Sequence, residues 1–331
     1  MPQRIVFPEK GKVELQPFEL PEPGPGEIRV KTLYSLMSIG TETTILQQKY
    51  DPGTHFDRMF AFPQLKTGVQ AVGRVEGTGA SVADFQQGDL VYMRMAHGSH
   101  QCLAAAACSP VPPDVNPKDA CWCGLAKTAF RAAWAAQFET LPSLLIIGAG
   151  PVGQMALRWA AAWRVAEICA VDLSALRLAH AKRGGAIRTL QGNAEEHRDS
   201  IAALAGGNGP PVVIDTTGNP EVFHQALAVA APFGTVILLG DTGFPGRQCL
   251  TSDVMTKGLT IQATHDSHDR DGWTQRRIDA RFFELLEAGH FPLDRLITHE
   301  FLPADCHKAY AIAINERHSA MGILFDWTGA S

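Results

Sequence analysis

Three glycines and an aspartate carry the clearest chemical signal in this chain of 331 residues. Gly148, Gly150 and Gly153 follow the apolar run Leu144-Leu145-Ile146-Ile147 and lead into an alanine-rich run from Gln154 to Ala162. A second apolar run, Ile168-Cys169-Ala170-Val171, ends in Asp172. The first glycine permits a tight exit from a strand, the second leaves the backbone bare for a pyrophosphate, and the third lets a helix lie close on a sheet. Pro151 and Val152 then open a helix whose N-terminal N–H groups and positive dipole end suit phosphate oxygens. Asp172 stands about 20 residues beyond the turn, where a carboxylate accepts both hydroxyls of an adenine ribose and repels a 2′-phosphate. The pattern predicts a dinucleotide site, for NAD rather than NADP.

Such a turn needs a parallel sheet to hold it. Val212-Val213-Ile214-Asp215 and Thr235 to Leu239 are continuous apolar runs, as expected for parallel strands covered on both faces. Between them Glu221 to Val229 reads as a helix, and Arg277 to Ala288 as an amphipathic one stopped by Gly289. The first part of the chain differs. Ile28 to Leu33, Val72 to Val75 and Leu90 to Met93 are short apolar runs set off by Gly and Pro, which is the pattern of strands and turns. The expected division is a β-rich domain of residues 1–120 and 266–331, interrupted by an α/β nucleotide domain of residues 121–265.

Bulk composition and length fit a soluble globular protein of two domains. The net charge is −5, with 45% hydrophobic and 19% charged residues. No charge block points to nucleic acid or an anionic membrane surface. No apolar run reaches the roughly 18 residues of a spanning helix, and Met1 to Val6 lacks an apolar leader core. The seven cysteines are an odd set without zinc or redox spacing. Reduced thiols and a cytoplasmic location are expected.

The order of motifs resembles the medium-chain dehydrogenase/reductase superfamily. The resemblance is carried by Pro25 to Val30, Gly40-Thr41-Glu42, Gly68 to Val75, Gly88 to Val91, Ala126 to Phe130, the glycine turn, Asp215 to Gly218, Leu239-Gly240 and Ile297-Thr298-His299. It implies a GroES-like β-rich catalytic domain plus a Rossmann doubly wound parallel sheet, with hydride transfer in a cleft between them. For the cofactor it implies contacts from Thr128 to the carboxamide, from Leu239, Gly240 and Ala263 along the nicotinamide, and from Thr216 at the ribose. Leu173 and Arg177 are implied beside the adenine ribose. Ser38 to Glu42 and the Gly68 to Val75 stretch look most similar to the branch that includes the bacteriochlorophyllide hydroxyethyl dehydrogenase.

Departures from the family pattern are equally specific. The three positions that hold catalytic zinc ligands in zinc members correspond here to Ile39, Val69 and Gly124, with Cys123 one place off. A catalytic zinc ion needs three protein ligands, so no metal is expected. Many members carry an arginine where this chain has Gly40 and a further basic residue near Met321, which implies a weaker phosphate clamp or a different pose here. Without zinc, hydrogen-bond donors must stabilise charge on the substrate oxygen. The candidates are Thr41, Glu42, Gln70, Lys127 and His265, each with a structural alternative: a threonine bonded to the backbone of its Gly-Thr-Glu turn, a cross-domain structural pairing for Glu42, a buried amide, a solvated lysine at a helix start and an ordinary polar histidine. His97-Gly98-Ser99-His100 reads as a strand entry. Phe56, Met59, Phe60 and Phe62 read as pocket wall or packed core.

The expected activity is zinc-independent, NAD(H)-dependent interconversion of an alcohol and a ketone on a small or medium apolar substrate. A quinone or enone reductase and a non-catalytic NAD-binding sensor are the alternatives. A homodimer joined at the Thr235 to Leu239 and Leu259 to Ile261 edge is also expected.

Overall fold

A computed structural model describes residues 1–329. The chain divides into two compact units: a β-rich unit of Met1–Gly124, Asp279–Ala288 and Leu296–Ser331, and a parallel-sheet unit of Leu125–Ile278 and Gly289–Arg295.

In the parallel-sheet unit six strands lie in the order Arg188–Gln191, Glu167–Asp172, Ser143–Ile147, Val212–Asp215, Thr235–Leu238 and Thr260–Ala263. Every neighbouring pair is parallel. Ser143–Ile147 is buried along its whole length, which explains its unbroken apolar sequence. The chain winds outward from this strand in one direction and then in the other. The point where the order reverses is where open α/β sheets leave a crevice at their carboxyl ends. The helix Pro151–Ala162 follows at once, with Gly150 at its cap and proline at its first position, where the missing N–H costs nothing.

Two stretches join this unit in ways the sequence reading did not anticipate. The unit runs to Ile278 rather than 265 because Asp266 to Trp273 is tied to the helix Cys123–Ala135. Lys127 Nζ lies 2.8 Å from Asp266, and Arg131 pairs with Asp269 and donates to the Trp273 carbonyl. The second stretch is Gly289–Arg295, which leaves the β-rich unit and returns to it. Phe291 meets Trp159 edge-on with ring centroids 5.0 Å apart. Trp159 in turn packs with Phe130 and Trp163.

The β-rich unit holds a seven-stranded mixed sheet and a three-stranded one. The long strand Glu27–Leu36 pairs with Ala71–Thr78, His100–Ala104 and Gly322–Asp326. Its buried residues alternate along the first part of the strand, the period-2 pattern of one covered face. Helix Ile39–Leu46 follows the strand directly, and helix Cys306–Asn315 packs into the same core through Ala309, Tyr310 and Ala313. Phe56 lies in this core, with Phe60 and Phe62 packed against it, whereas Met59 is exposed. Core packing thus accounts for the three phenylalanines.

Candidate functional site

The glycine turn of the parallel-sheet unit has the geometry its sequence requires. Gly148 has φ +94°, a region that favours glycine. A Cβ on Gly153 would fall 2.0 Å from the Gly148 carbonyl oxygen, so the helix could not lie where it does with any side chain there. Gly150 is different. A Cβ at that position would meet only the Arg177 guanidinium, at 3.6 Å. No protein atom requires glycine there, and the bare backbone faces open space beside a cation at a helix N-terminus. That is the geometry of a phosphate cradle, and these residues fit a dinucleotide.

Asp172 ends its strand beside this turn. Its carboxylate accepts from the Ala149 N–H at 2.7 Å and the Ser174 N–H at 2.8 Å, and Arg177 Nη1 stands 3.9 Å away. The acid therefore braces the turn as well as presenting a carboxylate at the strand end. Thr216, expected at the ribose, donates its hydroxyl to the Gly148 carbonyl at 2.8 Å and so holds the turn from the neighbouring strand. The Leu239 and Gly240 N–H groups both donate to the Asp215 carbonyl. Gly240 approaches Thr216, Thr217 and Gly218 too closely for any side chain. Pro151 and Val152 are half-buried in the helix start, Thr128 is half-buried in Cys123–Ala135, Leu173 is exposed, and Ala263 is the exposed last residue of the edge strand.

Lys127 is not the solvated lysine of the bland reading. It is buried, paired with Asp266 and bonded to Gln275 Oε1 at 3.2 Å. His265 is exposed, and its Nδ1 faces Ser267 Oγ at 2.8 Å. Both side chains are engaged by their own surroundings.

In the β-rich unit the sequence reading missed the principal feature. Glu42 is buried, it lies in a helix rather than a turn, and its partners come from its own unit rather than from across the domains. Its carboxylate accepts the Ser38 N–H at 2.7 Å, so it caps the helix start in place of a Ser38 side-chain bond. His97 Nε2 lies 3.1 Å from the same carboxylate, and the Tyr310 hydroxyl donates to it. His97 Nδ1 is 2.7 Å from Ser35 Oγ, which accepts from Trp327 Nε1 at 2.8 Å. One consistent donor chain follows: Trp327 to Ser35, Ser35 to His97 Nδ1, and His97 Nε2–H to Glu42. Burial, then the Glu42 charge, pushes the Tyr310 hydroxyl well above its usual pKa, which keeps it a donor. Gly68 serves this cluster, because a Cβ there would strike His97 at 2.7 Å. Thr41 stands half-buried in the helix beside Glu42.

The positions of zinc ligands do not fit the metal. Ile39 and Val69 offer no donor atom, and a Cβ on Gly124 would fall 2.6 Å from Tyr92 Oη and 3.0 Å from the buried Gln70 side chain. The room for a third ligand is filled. Among the described residues no group of three or more His, Cys, Asp or Glu side chains could hold an ion. At position 40 itself, Arg317 Nη2 lies 3.7 Å from where a Gly40 Cβ would sit.

The two units thus have the architecture of a GroES-like β-rich domain and a Rossmann domain. Comparison with known proteins agrees. A family described as zinc-binding dehydrogenase matches residues 151–276, a segment that contains none of positions 39, 69 and 124. L-threonine 3-dehydrogenase of Bacillus velezensis is 35% identical over 168 residues, 51% of this chain and 47% of that protein, so the match spans about half the length of that curated relative. An alcohol dehydrogenase of Cupriavidus necator is 23% identical over 374 residues, covering 98% of each chain. The crystal structure of galactitol-1-phosphate dehydrogenase from Escherichia coli superimposes with a TM-score of 0.83 at 20% identity, over 98% of this chain and 99% of that one, a likeness of fold. These likenesses support the resemblance to the medium-chain dehydrogenase/reductase superfamily.

Proposed function

We propose that the protein is a zinc-independent, NAD(H)-dependent oxidoreductase that interconverts an alcohol and a ketone on a small or medium apolar substrate. The observation that carries the reading is Gly150, a glycine with no steric reason inside the protein, bare beside Arg177 and one residue ahead of a helix. Bound nicotinamide would supply the hydride chemistry. The Gly148 to Gly153 backbone and the helix N-terminus hold the pyrophosphate, and Asp172 takes the ribose hydroxyls and disfavours a 2′-phosphate. Thr41 is the hydroxyl proposed to contact the substrate oxygen. The dehydrogenase names of the relatives support the reaction class.

Reduction of a quinone or enone is the second reading. It is favoured by the engagement of Glu42 and Lys127 inside their own units, since that chemistry needs no relay to an alcohol oxygen. The open strand Thr260–Ala263 is the edge at which a homodimer is proposed.

Fluorescence titration with NADH and NADPH, metal analysis of the untagged protein, and assay against secondary alcohols, ketones, quinones and enones test the proposal together. NADH binding tighter than NADPH, little zinc, and ketone reduction are expected. Tighter NADPH binding overturns the role of Asp172, and about one zinc per chain overturns the metal-free reading.

A further inference from the structure

Two buried polar residues behind the glycine turn have no role in the function described so far. Gln154 and Arg158 stand four apart on the helix Pro151–Ala162, both essentially inaccessible to water. Gln154 Nε2 donates to the Ala149 carbonyl at 2.8 Å and the Arg177 carbonyl at 3.0 Å. Its Oε1 accepts from Arg158 Nη1 at 2.9 Å. Arg158 also donates to the Gln154 carbonyl and, through Nε, to the Pro292 carbonyl. None of these acceptors is a carboxylate. Burial pushes the Arg158 guanidinium down to about 10, against the pull of Asp294. Gly184 makes the room, because a Cβ there would fall 2.5 Å from Arg158 Nη1.

Burying a guanidinium against neutral oxygens is costly, and an apolar pair would hold the helix on the sheet as well. The arrangement makes sense through what it grips. The Ala149 peptide lies in the middle of the turn, its N–H held by Asp172 and its carbonyl held by Gln154. The other carbonyl belongs to Arg177, whose side chain flanks Gly150. A single amide therefore bonds both the glycine turn and the first turn of the helix Ala175–Arg183, which border the phosphate cradle. The guanidinium orients that amide and polarises it, which strengthens its two donated bonds.

We propose that Gln154 and Arg158 are positioning residues for dinucleotide binding, which hold the glycine turn and the helix start that carries Arg177 in their binding geometry before the ligand arrives. The inference rests on the reading of the turn as a dinucleotide site.

Gln154→Glu tests it. The substitution keeps the shape and offers Arg158 an ion pair, but removes both donors to the Ala149 and Arg177 carbonyls. NADH affinity, measured by fluorescence, falls about tenfold, and it falls likewise in the uncharged Gln154→Met, so that loss of the donors and not the new charge is what is read. A folded variant with unchanged affinity overturns the proposal, since a residue that only supports the fold would leave binding intact. Should Gln154→Glu fail to fold, Gly184→Ala decides. Its methyl displaces Arg158 without touching the turn and lowers affinity about threefold. A shifted midpoint with unchanged affinity again overturns the role. Absence of NADH binding by the wild-type protein overturns the dinucleotide reading, and the positioning role with it. Unchanged affinity in the variants beside normal wild-type binding overturns the positioning role alone.

Discussion

Around Glu42, donors from the adjacent Ser38 and from two distant stretches of chain converge on one buried carboxylate. Around Gly150, the backbone leaves a face whose nearest neighbour to an added methyl would be a guanidinium nitrogen at 3.6 Å. Both regions were candidates for chemistry, and both are rich in polar atoms. In the first, those atoms satisfy one another. In the second, Asp172 and Arg177 also have internal partners, but the Gly150 backbone beside them is left bare. A group that can do chemistry becomes a candidate site where the fold leaves room beside it.

The comparison is broken most forcefully at Glu42. Glu42→Ala leaves the Ser38 N–H, His97 and Tyr310 without their shared acceptor, and a loss of about 3–5 kcal/mol is expected in chemical denaturation. Glu42→Gln is the sharper variant. A structural hub loses stability with it, whereas a catalytic acid or base would lose turnover at nearly full stability. The second outcome would return Glu42 to the reaction.

Gly150→Ala makes the complementary test. The φ of −69° suits alanine and nothing crowds the new methyl, so stability should stay within about 0.5 kcal/mol. Dinucleotide affinity should fall about tenfold or more, because the backbone can no longer approach the pyrophosphate. Retained affinity in a folded Gly150→Ala protein would remove the central support for the proposed function.

The smallest effect concerns acid sensitivity. His180 is buried in the parallel-sheet unit, and burial first, then the charges of Arg183, Arg158 and Arg295, lower its pKa. The unfolded chain therefore binds this proton more readily than the folded one. The His180 contribution is complete above the ordinary histidine pKa of about 6.5 and is lost as pH falls below it. Thermal midpoints from pH 7.5 to 5.5 should decline less in His180→Asn than in the wild type. An identical slope would place the acid sensitivity elsewhere.

What the sequence made legible follows the same divide. The strand, turn and helix from Leu144 to Ala162 form one contiguous segment whose backbone demands are written in residue type. Asp172 follows because one further strand fixes its distance. The loss of zinc donors could be read because Ile39, Val69 and Gly124 stand in recognisable local motifs. The Glu42 cluster was hidden because its members are 55 and 268 residues from Glu42 in the chain, and only tertiary packing brings them together. A signal for it did exist in Gly68, which is glycine because His97 lies against it, but one glycine in a β-rich stretch has many explanations. The return of Gly289–Arg295 was equally hidden, since Phe291 and Pro292 carry no pattern that names Trp159 or Arg158 as partners.

That return sets a schedule for synthesis. The ribosome releases the glycine turn long before Pro292, so Arg158 is made without one of its acceptors and the parallel-sheet unit stays incomplete until residue 295 emerges. The β-rich unit waits longer, since Glu42 lacks the Tyr310 hydroxyl and Ser35 lacks the Trp327 N–H until those residues appear. Neither unit can close as soon as its first segment is made, in the N-terminal-first order open to domains contiguous in sequence. The nascent protein carries one half-satisfied polar interior until Pro292 has emerged and the other until Trp327 has, so each unit has a late segment as its latch.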